Sequence, residues 1–394
     1  MHIGKLKNNT PLLDKLEDSY LTSTQNVSSQ YWSTHVGEST RGDEHLGQLS
    51  RIKAALAKEG LSGFGTNPDT TFGFGDASKF NPRPRLRRLI KIPVVYKMIE
   101  KYSVIYSINK YKNSFFACYK KIFKDLNFVH YMFDQLTQST KNLKIRCAIS
   151  LEGKLVPRRS LFFLINLEKI KVILKRANSN LELRDILDGN YMDIGGAYGG
   201  PIDVVHLYKK FHKIGKGSIS YVLEQFPVSY VANQYLEYRH EGDILPPTFL
   251  DNEIIPTDIS KTDETAGIGS HSFLRIIQNT SAKSSSGKSS SGLDINFFFN
   301  SNSFQEMDDQ QIIDYCEFMK KNKSKRAFLG VCFYLGGATA ERAISILNEN
   351  FKCLGKITSK DFLEINDINE LEIIADPNGV SGKLVDDVVY LFEL

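Results

Sequence analysis

The sequence predicts an α/β fold, a largely parallel sheet with helices on both faces, and three observations carry that reading. A short apolar run, Tyr191 to Ile194, feeds a glycine-packed turn, Gly195-Gly196-Ala197-Tyr198-Gly199-Gly200, and then a helix that Pro201 can open at its first position. A second β-prone stretch, Ser218 to Leu223, follows after a helix-stopping Gly215 and Gly217. From Leu293 onward, apolar strand-like runs alternate with helical periodicity to the end of the chain, the order that builds a doubly wound sheet.

Taken in order, residues 1–80 are polar and dotted with glycine, an irregular segment that includes Trp32 and a Gly/Phe-rich run from Gly63 to Gly75, with Arg51 to Glu59 helical. Residues 81–180 read as a helical accessory region, so the amino-terminal part as a whole is mainly helical. Between Arg83 and Lys124 it carries twelve Lys or Arg against a single acid, Glu100, interleaved with Tyr96, Tyr102, Tyr106, Tyr111, Phe115, Phe116, Tyr119 and Phe123. Three roles fit that pattern: amphipathic helices over Val94 to Phe133 with solvated lysines, contact with an anionic membrane surface, or nucleic-acid binding. A net charge of only +5 for the whole chain weighs against nucleic acid.

Residues 181–394 hold the sheet. A helix is expected from about Pro201 to Phe211. Thr248 to Ile255 and Ser272 to Ile277 are alternative third strands inside a long connection, Gly242 to Gly292. Its last part, residues 281–292, is a Ser/Gly/Lys low-complexity surface loop. Leu293 to Phe299 is a buried strand, and Asp308 caps a helix whose Ile312, Ile313, Cys316 and Met319 share one face. Phe328 to Phe333 is the next strand and Ala338 to Asn348 a helix. Leu371 to Ala375 and Asp387 to Leu394 complete the sheet.

The glycine turn is a ligand cradle: residues without Cβ admit a ligand against the backbone, and the helix behind presents unpaired N–H groups. A dinucleotide fingerprint needs glycines at positions one, three and six, and counting from Gly195 the third position is Ala197. A P-loop needs a closing Gly-Lys-Ser/Thr, where this turn closes on Gly200-Pro201. What remains is an acid, Asp193, two residues before the first glycine, with glycines following. That arrangement resembles the S-adenosylmethionine cradle of class I methyltransferases, with Ala197 where a third glycine is usual. Glu224 falls about 20 residues beyond the turn, where a doubly wound fold places its ribose-reading carboxylate.

A more specific resemblance covers Leu187 to Phe333, about a third of the chain. The turn "IGGxYGG" (Ile194 to Gly200) and the downstream "N-x-x-S-F-x-E-M" (Asn300, Ser303, Phe304, Glu306, Met307), with Tyr235-Leu236 between them, resemble a bacterial family of sugar O-methyltransferases. The chain departs from that family at Glu224-Gln225-Phe226-Pro227, where Asp-Leu-Pro is common, so either Glu224 or Gln225 meets the ribose. The resemblance implies a Rossmann-like seven-stranded methyltransferase sheet and S-adenosylmethionine as cofactor, held by Asp193, Gly195, Gly196, Tyr198, Gly199, Glu224, Gln225 and Asn300. It further implies a saccharide acceptor and a place in surface polysaccharide biosynthesis. A methyltransferase acting on nucleic acid or another small molecule, and a non-catalytic binding protein on the same fold, are the alternatives.

Methyl transfer to a sugar hydroxyl is helped by a general base, worth about 10²- to 10⁴-fold. Glu306 is the first candidate because it follows a strand at the end where ligands sit; a helix-end carboxylate is its other reading. His240 and Asp243 come next, with His206 behind them. No metal site is read, because adjacent Asp308 and Asp309 do not face one another on a helix and the five cysteines lack Cys-x-x-Cys spacing. The first residues lack an apolar signal core and no 18-residue apolar stretch occurs, so a cytoplasmic location is expected, with the inner membrane face as the place the basic segment would dock.

Overall fold

The computed structural model describes residues 11–12, 14–15, 119–142, 148–177, 180–224, 228–249, 272–278, 292–334, 338–368 and 387–394. The segment 1–80 (but for four residues), the basic stretch up to residue 118 and the loop 281–291 therefore lie outside the described residues, as do Gln225 and the expected strand Leu371 to Ala375.

Helix α1 (Leu126–Asn142) precedes a hairpin of β1 (Ala148–Leu151) and β2 (Lys154–Pro157), and α2 (Arg158–Arg176) and the short α3 (Leu183–Leu187) lead to the sheet. Then come β3 (Asn190–Ile194), α4 (Gly200–His212), β4 (Ile219–Glu224), α5 (Val228–Arg239), β5 (Thr248–Phe249) and β6 (Phe273–Gln278). The rest is β7 (Ile295–Ser301), a 3-10 turn (Ser303–Glu306), α6 (Asp309–Asn322), β8 (Lys323–Tyr334), α7 (Ala338–Asn350), β9 (Lys352–Thr358), α8 (Ser359–Ile365) and β10 (Asp387–Glu393).

The sheet runs β5-β6-β4-β3-β7-β8-β10-β9. Neighbours from β5 to β8 are parallel, whereas β10 is antiparallel to both β8 and β9. Seven of the strands, from β6 to β9 across the sheet, form the expected seven-stranded α/β sheet, in which β10 is reversed. The two-residue β5 adds an eighth at the edge. Both candidate third strands pair, β6 against β4 and β5 against β6. The strand beside β10 is β9, which the sequence did not disclose, because most of its residues are exposed or half-exposed.

Strands covered on both faces lose the polar alternation of an open sheet. In β3 and β7, Tyr191, Phe297 and Phe299 enter the core under α2, α4 and α5, while Met192, Ile194 and Phe298 enter the core under α6 and α7. Each such side chain taken from water contributes roughly 1.5–3 kcal/mol before entropy is counted. Residues 119–176 share the first of these cores: Phe128 of α1 meets Tyr208 of α4 edge-on at 5.1 Å, and Phe163 of α2 meets Phe299 at 4.9 Å. Helix α2 also carries a fully buried Lys169, whose Nζ lies 2.9 Å from Asp387 Oδ2 at the start of β10 and donates to Ser359 Oγ at 2.8 Å.

Candidate functional site

In parallel strands ligands sit beyond the carboxyl ends, and here that edge carries Asp193, Gly195, Glu224 and Asn300. The turn after β3 is made by backbone conformation: Gly195, Ala197 and Gly199 all have positive φ, at 70°, 52° and 92°. Ala197 thus takes the left-handed geometry that a glycine takes without strain, a cost of roughly 1–2 kcal/mol. The loop keeps its shape despite the missing third glycine. Gly199 is the N-cap of α4, and Gly195 donates its N–H to Leu223 O at 2.9 Å, tying the turn to β4.

There is no room for a side chain at Gly195 or Gly196. A Cβ on Gly195 would lie 2.1 Å from Ser303 Oγ, and one on Gly196 would lie 2.4 Å from Asp193 Oδ2. Ser303 belongs to the "N-x-x-S-F" segment, so the two motifs that the sequence holds 108 residues apart are in contact. Asn300 joins them a second time: its Nδ2 donates to Ile194 O at 2.9 Å and its Oδ1 accepts from Phe304 N at 3.1 Å. With both ends of its amide engaged and its side chain fully buried, Asn300 braces the cradle from within the protein.

Tyr198 supports the turn from the other side. It is fully buried and meets Tyr235 of α5 edge-on at 5.0 Å, while Leu236 packs against Gly199. The Tyr-Leu pair is a wedge that seats the turn on α5. Tyr235 Oη in turn donates to Asp203 Oδ2 at 2.5 Å.

Two carboxylates face the turn from below. Asp193 is buried, and its Oδ2 has no hydrogen-bond partner among the described residues. Burial pushes its carboxyl well above the usual carboxylate range, Glu224 adds to the rise, and the exposed Arg159 in the first turn of α2 opposes it. Glu224 ends β4, is itself buried, and its Oε2 accepts from Ala197 N at 2.9 Å. Of the two residues offered as the ribose reader, Glu224 is at the turn; Gln225 lies outside the described residues. Arg159 had no signature, since it comes from a helix 34 residues before Asp193 and only the fold brings its charge to that carboxylate.

The base candidates separate. Glu306 closes the 3-10 turn that begins at Ser303, on the same edge as the cradle; its side chain lies outside the description. Met307, next in the chain, accepts through its carbonyl from Arg342 at 2.5 Å, and Asp308 caps α6 as expected, accepting from Gln311 N at 2.8 Å.

His240 and Asp243 are not at the cradle. They lie where α5 returns towards the start of β6: Asp243 O accepts from Leu274 N at 2.9 Å, and Ser272, just before β6, meets His206 Nδ1 at 3.0 Å. His240 Nε2 lies 2.7 Å from Asp203 Oδ1, and Asp243 Oδ2 is 3.1 Å from His206 Nε2 and 2.5 Å from Lys210 Nζ. Burial lowers both histidines, His206 to about 4 despite its bond to Asp243. Asp203 is held below the usual range because the charges of Arg239 and His240 outweigh its burial. The structure thus brings His240 and Asp243 together with Asp203, His206 and Lys210 along α4.

No model of a known protein family matches the chain, and no curated protein matches it in sequence. Solved structures do. An S-adenosylmethionine-dependent methyltransferase from Aquifex aeolicus matches at 11% identity and TM-score 0.28 over 54% of this chain and 86% of that one. The magnesium protoporphyrin IX methyltransferase of Synechocystis PCC 6803, solved with S-adenosylmethionine bound, matches at 10% identity and TM-score 0.31 over 74% and 96%. The N-methyltransferase NodS of Bradyrhizobium japonicum WM9, in complex with S-adenosyl-L-homocysteine, matches at 12% identity and TM-score 0.28 over 56% and 85%.

Proposed function

We propose that the chain is an S-adenosylmethionine-dependent O-methyltransferase and that its acceptor is a saccharide hydroxyl, in surface polysaccharide biosynthesis. One observation carries the cofactor part: a buried Asp193 oxygen without a hydrogen-bond partner among the described residues lies beneath a turn in which neither Gly195 nor Gly196 has room for a Cβ. A buried carboxylate oxygen left without a hydrogen bond costs about 1–3 kcal/mol or more, so a donor supplied by a ligand repays it. The cofactor's amino and ribose hydroxyl groups are such donors, and Asp193 and Glu224 are the acceptors. A carboxylate has roughly four lone-pair sites, so Glu224 can hold Ala197 N–H and still accept from a ribose.

When bound, the cofactor supplies an electrophilic methyl group on a sulfonium. The work of the chain's own residues is to hold and align. Ser303 and Asn300 brace the turn, Tyr198, Tyr235 and Leu236 seat it, and α4 directs its free N–H groups to the same edge. Glu306, in the 3-10 turn that follows β7, is the proposed base and would take the hydroxyl proton as the oxygen attacks. The saccharide part rests on the likeness of the two motifs to sugar O-methyltransferases. The basic segment before residue 119 would then hold the protein at an anionic membrane where such acceptors are assembled. Among the described residues no helix is long and apolar enough to cross a membrane.

Calorimetric titration of the purified chain with S-adenosylmethionine and with S-adenosylhomocysteine tests the reading. Binding at one equivalent is expected for the wild type and its loss for Gly196→Val, with unchanged circular dichroism. Equal affinity in the two proteins removes the cradle from the argument, and a panel of saccharide acceptors without turnover removes the sugar.

A further inference from the structure

We propose that His206, His240 and Asp243 form a divalent metal site, with Zn²⁺ as its ion, that clamps α4 to the α5–β6 connection. One ligand atom from each lies within 4.8 Å of the other two. The imidazoles are buried and packed edge-to-face, their centroids 4.4 Å apart, while the Asp243 side chain is 19% exposed and leaves a path for the ion.

His206 is already oriented as a ligand usually is, and His240 has its Nε2 held by an oxygen. A metal-bound histidine generally gives its other ring N–H to an oxygen. With Ser272 Oγ accepting from His206 Nδ1–H, the Nε2 lone pair faces Asp243 Oδ2 at 3.1 Å. With Asp203 Oδ1 accepting from His240 Nε2–H at 2.7 Å, Nδ1 carries the lone pair. For Zn–N and Zn–O bonds of about 2.0–2.2 Å, a 3.1 Å edge subtends roughly 97° at the ion, a modest compression of a tetrahedron, so His206 and Asp243 need little movement. His240 must close the remaining distance.

A cation already occupies the carboxylate: Lys210 Nζ lies 2.5 Å from Asp243 Oδ2. Its side chain is 33% exposed and can turn into solvent when a metal replaces it. Two imidazoles and one carboxylate suit zinc and discriminate against calcium and magnesium, which take oxygen ligands. The same donors serve iron in enzymes that leave several positions open; with Asp203 and Ser272 bonded to the two imidazoles, the ion proposed is zinc with a water as its fourth ligand. The site lies apart from the glycine turn and does not rest on the reading of that turn.

The test is equilibrium dialysis of the full chain against Zn²⁺ after chelator treatment, with metal content by mass spectrometry and Co²⁺ as a spectroscopic substitute. One equivalent is expected, with the intense visible bands of tetrahedral cobalt. Ser272→Ala, which removes only the orienting partner, should weaken binding by about 10- to 100-fold, and Asp243→Asn by more than that. Both should keep the wild-type circular dichroism; if Asp243→Asn does not fold, Ser272→Ala decides. A wild type that retains no zinc overturns the proposal, as does one equivalent held equally well by wild type and Ser272→Ala.

Discussion

Replacing Gly195 by alanine tests the cradle through energies that can be worked from the structure. Two costs add. At φ 70° an L-residue pays roughly 1–2 kcal/mol for the left-handed conformation. The new Cβ also meets Ser303 Oγ at 2.1 Å and Ser303 Cβ at 2.8 Å, and overpacking of that kind costs about 1–3 kcal/mol. The sum, about 2–5 kcal/mol, corresponds to a fall in melting temperature of roughly 4–20 °C at about 2–4 °C per kcal/mol. Ser303→Gly removes both clashing atoms but not the backbone strain. The double variant Gly195→Ala/Ser303→Gly should therefore be more stable than the sum of the single changes by the steric part, about 1–3 kcal/mol. Scanning calorimetry on the four proteins measures that coupling. Additivity within about 0.5 kcal/mol would refute the contact between the two motifs, since independent sites add to that accuracy.

Glu306→Gln, in the proposed reading, lowers kcat by about 10²- to 10⁴-fold while cofactor affinity by calorimetry stays within about twofold; retained turnover would move the base elsewhere. Lys209 is buried among Gly189 O, Ser218 Oγ and Ser220 Oγ, and burial lowers it from 10.5 to about 7. Between those two pH values the unfolded chain binds a proton that the folded chain does not, so stability should rise with pH across that window and the rise should be absent in Lys209→Met; parallel melting curves in the two proteins would count against it. Lys169→Met leaves Asp387 buried without its ammonium and should cost about 3–5 kcal/mol, most of it recovered in Lys169→Met/Asp387→Leu; a single variant as stable as the wild type would show the pair to be dispensable.

The centre of the fold was legible because its signals are local. Asp193, the glycines and Pro201 lie within nine residues, and the two-sided burial of β3 and β7 shows as predominantly apolar strands without strict alternation. Asp308 announced its helix by a capping pattern that the structure reproduces, reciprocal bond included. What was hidden depends on distance in sequence or on exposure. Lys352–Thr358 is an edge strand with a mostly exposed pattern, so nothing apolar marked it. The bracing bonds of Asn300 and the burial of the Tyr198 ring were not legible, because a motif does not show which atoms its side chains meet. Nor does any spacing rule tie His240 and Asp243 to Asp203 and His206, which are 37 residues upstream in each case.

The Asn300 amide, spanning the carbonyl of one strand end and the amide of the following turn, has an evolutionary corollary. A drift of the turn after β7 would drag the glycine turn after β3 with it, so the two cannot adapt separately. Sequence change in chains of this design should therefore accumulate away from these paired turns, which stay as they are.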